Sequence, residues 1–141
     1  MAATAAAAFL AVAPTASATM KFPPGPWVEV YHSSGTLVGR LHGDMNWSAS
    51  LRTVTFSPQD FYVRAGECVY VVYGGYQNNN LVAKSPKYKE CGRDGAWSAK
   101  SISTDTPGGI QTVIIELTDV EHGNKASNNC WYGDLQCTDG P

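Results

Sequence analysis

Apolar and polar residues alternate along much of this chain with a period of two. That period puts successive side chains on opposite faces of a strand. Trp27 to Tyr31 (WVEVY) alternates and is rich in β-branched and aromatic residues. Ser33-Ser34-Gly35 then reads as a turn, and Thr36 to Leu41 (TLVGRL) as the hairpin partner, with Gly39 at a bulge. Gly43-Asp44 reads as another turn. From Leu51 to Phe56 (LRTVTF) the pattern sends Leu51, Thr53 and Thr55 one way and Arg52, Val54 and Phe56 the other. Ser57-Pro58 is expected to end that strand. Phe61 to Arg64, Ala65-Gly66 and Glu67 to Tyr73 (ECVYVVY) give the strongest hairpin signal, closed by Gly74-Gly75. Residues 76 to 96 look like loop, with a short strand near Leu81 to Ala83. Trp97 to Ser103 is a further strand candidate. Pro107-Gly108-Gly109 turns the chain into Ile110 to Leu117 (IQTVIIEL), a buried strand.

No stretch of about ten residues shows helical periodicity with caps. Seven or eight short strands at roughly 8–12-residue spacing predict an all-β sandwich or barrel. Phe22-Pro23-Pro24-Gly25-Pro26 lies in an extended entry segment, assigned to residues 19–26. The sandwich domain is assigned to 27–117. Residues 118–141 are polar and Asn-rich, and read as a C-terminal tail. Met1 to Ala18 carries no charge, is apolar over Ala5 to Ala13, and ends in Ala16-Ser17-Ala18. The small-x-small ending fits signal-peptidase cleavage, so residues 1–18 are expected to be a signal peptide and the protein to be secreted.

The chain has 141 residues, room for one domain. Ten Lys+Arg against twelve Asp+Glu leave a net charge of -2. A nucleic-acid-binding module would normally show a basic stripe, so no nucleic-acid partner is expected. Outside the N-terminus no run of about 20 apolar residues exists, so no membrane-spanning helix is expected. Four cysteines, Cys68, Cys91, Cys130 and Cys137, make an even count with no CxxC pair. That disfavours a zinc ribbon or finger and agrees with export. Three disulfide connectivities are open, and the neighbour pairing is preferred. It would close one loop in the central sheet and staple the tail.

Two stretches echo each other. WVEVY leads through a Gly-bearing hairpin to Trp47-Ser48-Ala49, and CVYVVY leads through a longer loop to Trp97-Ser98-Ala99. A duplicated four-stranded unit would produce that echo. WVEVYHSSGTLVG, MNWSASLRTV and FYVRAGECVYVVYGG together resemble the βγ-crystallin superfamily over roughly Trp27 to Leu117. The resemblance implies a small Greek-key sandwich of two similar motifs. It also implies secreted microbial relatives that bind calcium, act as killer-toxin-like antimicrobials or inhibit metalloproteases. Calcium needs six to eight oxygens, which short Asp/Asn/Ser loops can supply. The candidates are Asp44, Asn46, Ser48 and Ser50 in one loop, and Asp94, Ser98 and Ser101 in the other. Calcium is the one cofactor these residues suggest.

Catalysis finds little support. His32, His42 and His122 are scattered, and no GxSxG, HExxH or P-loop is present. His42-Gly43-Asp44 could orient an imidazole, and Glu121-His122 with Arg64 or Arg93 for phosphate would suit a small secreted hydrolase or nuclease. Aromatic recognition is favoured instead. Trp27, Tyr62, Tyr70, Tyr73, Tyr76, Tyr88, Trp131 and Tyr132 exceed what a core of this size needs. The segment CWYGDLQC presents Trp131, Tyr132, Asp134 and Leu135 between two cysteines, and a disulfide-closed loop lowers the entropy cost of binding. The sequence therefore predicts a secreted, monomeric, non-enzymatic binding protein. Its partner would be an extracellular protein or a cell-surface glycan. An antimicrobial module leads, an extracellular protease inhibitor acting through residues 130–137 follows, and a small hydrolase or nuclease comes third.

Overall fold

A computed structural model describes residues 19–22, 28–133 and 137–140. The expected signal peptide, Trp27, Asp134 and Leu135 lie outside the described residues. Ten strands follow one another: β1 (Thr19–Phe22), β2 (Val28–Tyr31), β3 (Leu37–Trp47), β4 (Thr53–Gln77), β5 (Asn80–Lys84), β6 (Tyr88–Arg93), β7 (Lys100–Ser103), β8 (Thr112–Asp119), β9 (Lys125–Trp131) and β10 (Cys137–Asp139). Among the described residues there is no helix. The fold is thus all-β, as the alternation predicts. Every pairing is antiparallel, and the path runs β1-β3-β4-β8-β9-β10. The outer edge of β2 packs against β8 and β9, which nearly closes the sheet.

β4 organises everything else. Its first half pairs with β3 and β7, its second half with β8, β6 and β5. Phe56 in the first half stacks on Tyr73 in the second, with ring centroids 3.9 Å apart, so the strand bends back around the core. Two expected turns lie inside strands. Ala65-Gly66 does not reverse the chain. Among the four residues 64–67, only Gly66 has a positive φ, +82°, whereas a two-residue I′ or II′ turn centred on Ala65-Gly66 needs a positive φ at Ala65. β6 passes this point from Arg93, opposite Val63, to Cys91, opposite Cys68, leaving residues 64–67 as a wide bulge. Likewise, Gly43 is no turn but a β3 residue paired with Pro58, beside a bulge in β4 where Gln59 is the extra residue. A Cβ at Gly43 would stand 2.4 Å from the Ser57 carbonyl oxygen, so glycine serves close approach there. Pro58 fits the same irregularity, where a strand tolerates a residue without an N–H.

The expected tail also joins the sheet. β9 pairs with β8 from Thr112–Trp131 to Thr118–Lys125, and β10 pairs with β9. The disulfides join Cys68 to Cys91 and Cys130 to Cys137. Both are neighbour pairs set directly opposite each other on paired strands. The two Trp-Ser-Ala triplets take different places. Trp47 is wholly buried at the end of β3, while Trp97 is half-buried ahead of β7 and donates to Glu90 Oε1 at 3.0 Å.

Val28, Val30, Leu41, Met45, Trp47, Phe56, Phe61, Tyr73, Ile110, Ile115 and Leu117 form the centre of the core. Tyr73 is the unusual member, because its hydroxyl is buried with no hydrogen-bond partner. Burial raises the pKa of that hydroxyl far above its ordinary value, so it stays protonated. Tyr73→Phe keeps the stack on Phe56 and removes the orphaned group. It is expected to stabilise the fold by about 1 kcal/mol, since an unsatisfied buried hydroxyl costs about that much or more. Urea unfolding of the variant checks this, and a loss of stability would mean that the hydroxyl has a partner.

Candidate functional site

The sequence-predicted calcium residues are spread over strand and turn. Asp44 and Asn46 sit two apart on β3, opposite Ser57 and Thr55 of β4. Ser48 Oγ accepts from the Thr53 N–H at 3.1 Å and lies 3.3 Å from Ser50 Oγ. Both serines thus serve the β3–β4 turn's own backbone and hydroxyls. In the second loop, Ser98 Oγ accepts from Lys100 Nζ at 2.7 Å, and Ser101 lies opposite Thr55 on β7. Asp94 is exposed in the β6–β7 connection.

A different cluster forms at one end of the sheet, where three bends converge. His32 follows β2 and opens a turn closed by its N–H to Thr36 O (2.8 Å) and by Gly35 N–H to His32 O (2.9 Å). Asp119 ends β8, and the β8–β9 turn brings His122 back over it, with Gly123 at φ +72°. Glu67 comes from the β4 bulge. His32 Nε2 is 2.6 Å from Glu67 Oε1, and His32 Nδ1 is 3.1 Å from Asp119 Oδ2. His122 Nδ1 is also 3.1 Å from Asp119 Oδ2. The two imidazoles meet edge to face at 4.6 Å. Asp119 is 1% exposed, His32 15% and His122 52%. The hydrogen bond to Glu67 raises the His32 pKa; burial opposes it, and the charges of Glu67 and Asp119 reinforce it. Sequence reading missed this cluster because its members come from three separate turns. His122 pairs with Asp119, not with Glu121, whose N–H instead donates to Asp119 Oδ1 at 3.0 Å.

The other candidate is the outer face of β5, β4, β8 and β9. Pairing sets Leu81 opposite Tyr76, Tyr76 opposite Thr112, and Thr112 opposite Trp131. Directly opposed residues share a face, so these four form one row across the sheet. One step along stands Gly74. A Cβ there would lie 3.0 Å from Tyr76 Cε2 and 3.6 Å from Leu81 Cδ1, so the two side chains lean over a low floor. The resulting groove holds a cavity of about 290 Å³, lined by Val72, Gly74, Tyr76, Leu81, Lys84, Lys87, Ile114, Glu116 and Lys125. Three of the chain's six lysines stand around it. Glu116 Oε1 meets Lys125 Nζ at 3.4 Å, and Lys87 Nζ lies 4.0 Å over the Tyr70 ring. Trp131 continues the apolar row at 52% exposure, and Tyr132 turns edge-on to Trp47 at 5.9 Å while remaining 43% exposed.

Among the described residues no helix is long and apolar enough to cross a membrane. Two disulfides and no free cysteine are consistent with an extracellular protein. Comparison with known proteins finds no family model, no curated protein and no solved structure that matches this chain.

Proposed function

We propose that this is a secreted, non-enzymatic binding protein that takes an acidic glycan of a cell surface along the outer face of β5, β4, β8 and β9. One observation carries the proposal: a groove with an apolar and aromatic wall, Tyr76 and Leu81, and a rim of Lys84, Lys87 and Lys125. A flat aromatic face suits the C–H side of a sugar ring, and ammonium groups suit carboxylates or sulfates. The chain as a whole is slightly acidic, so the three lysines mark a local departure, not a general basic character. Trp131 would extend the contact beyond the groove. An antimicrobial role on microbial cell walls is the biological setting that fits such a module. The crystallin-like pair of Greek keys enters as its ancestry, favoured by the division of β4 into halves with separate partners.

The test is retention on an immobilised uronate-rich or sulfated polysaccharide. Retention at low salt, falling as salt screens the lysines, is the expected result. Lys84→Glu with Lys87→Glu should weaken it at least about tenfold, since each reversed charge replaces an attraction by a repulsion. Equal retention of the double variant, or equal retention on a neutral polysaccharide, would overturn the proposal. A second reading, inhibition of an extracellular protease, is favoured by the exposed Trp131 and Tyr132 beside the Cys130–Cys137 disulfide. Inhibition would survive the lysine changes.

A further inference from the structure

The His32, Asp119 and His122 cluster has the chemistry of a metal centre. We propose that it binds one divalent transition-metal ion of the zinc type, through His32 Nδ1, Asp119 Oδ2 and His122 Nδ1, with Glu67 positioning His32. The three residues offer one ligand atom each within 4.8 Å of one another, and His32 Nδ1 and His122 Nδ1 each lie 3.1 Å from Asp119 Oδ2. Atoms about 2.1 Å from a tetrahedral zinc stand roughly 3.4 Å apart, so the cluster already has nearly the right spacing.

Two further observations point the donors inward. His32 Nε2 is engaged by Glu67, yet His32 Nδ1 is buried and makes no aligned hydrogen bond, even at 3.1 Å from Asp119. With its proton on Nε2, the ring turns the Nδ1 lone pair toward the cluster. Ligating imidazoles are commonly held in this way by a carboxylate on the far nitrogen. Asp119 is fixed similarly: Oδ1 accepts from the Glu121 N–H, and Oδ2 faces both histidines. His122 is half exposed, which opens the site to solvent and leaves room for a fourth ligand. Two imidazoles and one carboxylate favour zinc, copper or nickel, whereas calcium takes oxygen donors. This centre is separate from the groove and from the loops the sequence suggested for calcium.

The experiment titrates the untagged full chain with Zn²⁺ against a chromophoric chelator, and with Co²⁺ by visible absorption. One equivalent should bind, and Co²⁺ should give the intense d–d bands of a tetrahedral site. His122→Ala should weaken binding at least about a hundredfold, and Glu67→Gln about ten- to a hundredfold. His42→Ala, outside the cluster, should bind as the parent does. His122 is half exposed, so its alanine variant should unfold in EDTA at the parent's midpoint, separating lost ligation from lost fold. Absence of stoichiometric binding, or undiminished binding by His122→Ala, would overturn the proposal and leave His32 between Glu67 and Asp119 as a plain ion pair.

Discussion

Trp47→Ala should remove about 3–5 kcal/mol of stability, the range for emptying a large aromatic site in a core. The indole is wholly buried, and its Nε1–H donates to the Ile110 carbonyl at 3.0 Å. That bond ties the end of β3 to the approach to β8, and Tyr132 packs edge-on against the same ring. Truncation would leave a cavity and an orphaned carbonyl together. Domains of this size are stable by only about 5–15 kcal/mol. A fall in melting temperature on the order of 10–20 °C is therefore expected. Trp97→Ala is the control, because that ring is half-buried and bonds to a half-exposed Glu90. Thermal unfolding of both variants decides the matter. Equal losses would mean that the two Trp-Ser-Ala triplets do equivalent work, against the structure's unequal placement.

The Cys68–Cys91 disulfide carries the second large effect. It spans 23 positions, and the chain-entropy account of such a loop gives about 3 kcal/mol. Its place adds a reason. Cys68 is the first residue of β4 to regain register with β6 after the bulge at 64–67. The Cys68 carbonyl also accepts the Val120 N–H at 3.1 Å, next to Asp119. Cys68→Ala with Cys91→Ala should lower the urea midpoint by an amount worth about 3 kcal/mol, with a steeper slope, because the uncrosslinked denatured chain exposes more surface. Amides around the bulge should exchange faster in the variant. A loss below about 1 kcal/mol would mean that the ladder alone holds the register.

Strands with alternating, β-branched residues were legible in the sequence: Val28 to Tyr31, Thr53 to Phe56 and Thr112 to Leu117. The length of β4 was not. Pro58, Ala65-Gly66 and Gly74-Gly75 carry the chemistry of turns, yet they sit in one continuous strand because a bulge or a close contact also calls for them. Gly75 shows why: a Cβ there would stand 3.1 Å from both Ile102 and Ile110. β9 escaped notice for another reason. Its inward positions are Asn128 and Cys130, small or polar residues that leave no hydrophobic signature. Trp131 is exposed because it follows the buried Cys130 on β9, so strand alternation turns it outward. The meeting of His32 with Asp119 and His122 was not legible, because only the return of β8 beside β2 brings those turns together.

One strand that belongs to both halves of a domain removes any seam along which the domain could come apart. Neither half has a complete set of neighbours without the other stretch of β4, and Phe56 and Tyr73 cement the two from inside. The molecule should therefore melt in a single cooperative step, with no half-folded species. A backbone nick between Ala65 and Gly66 falls in the exposed bulge. The two fragments should be unstructured alone and recover the fold when mixed, each lending the other its missing strand.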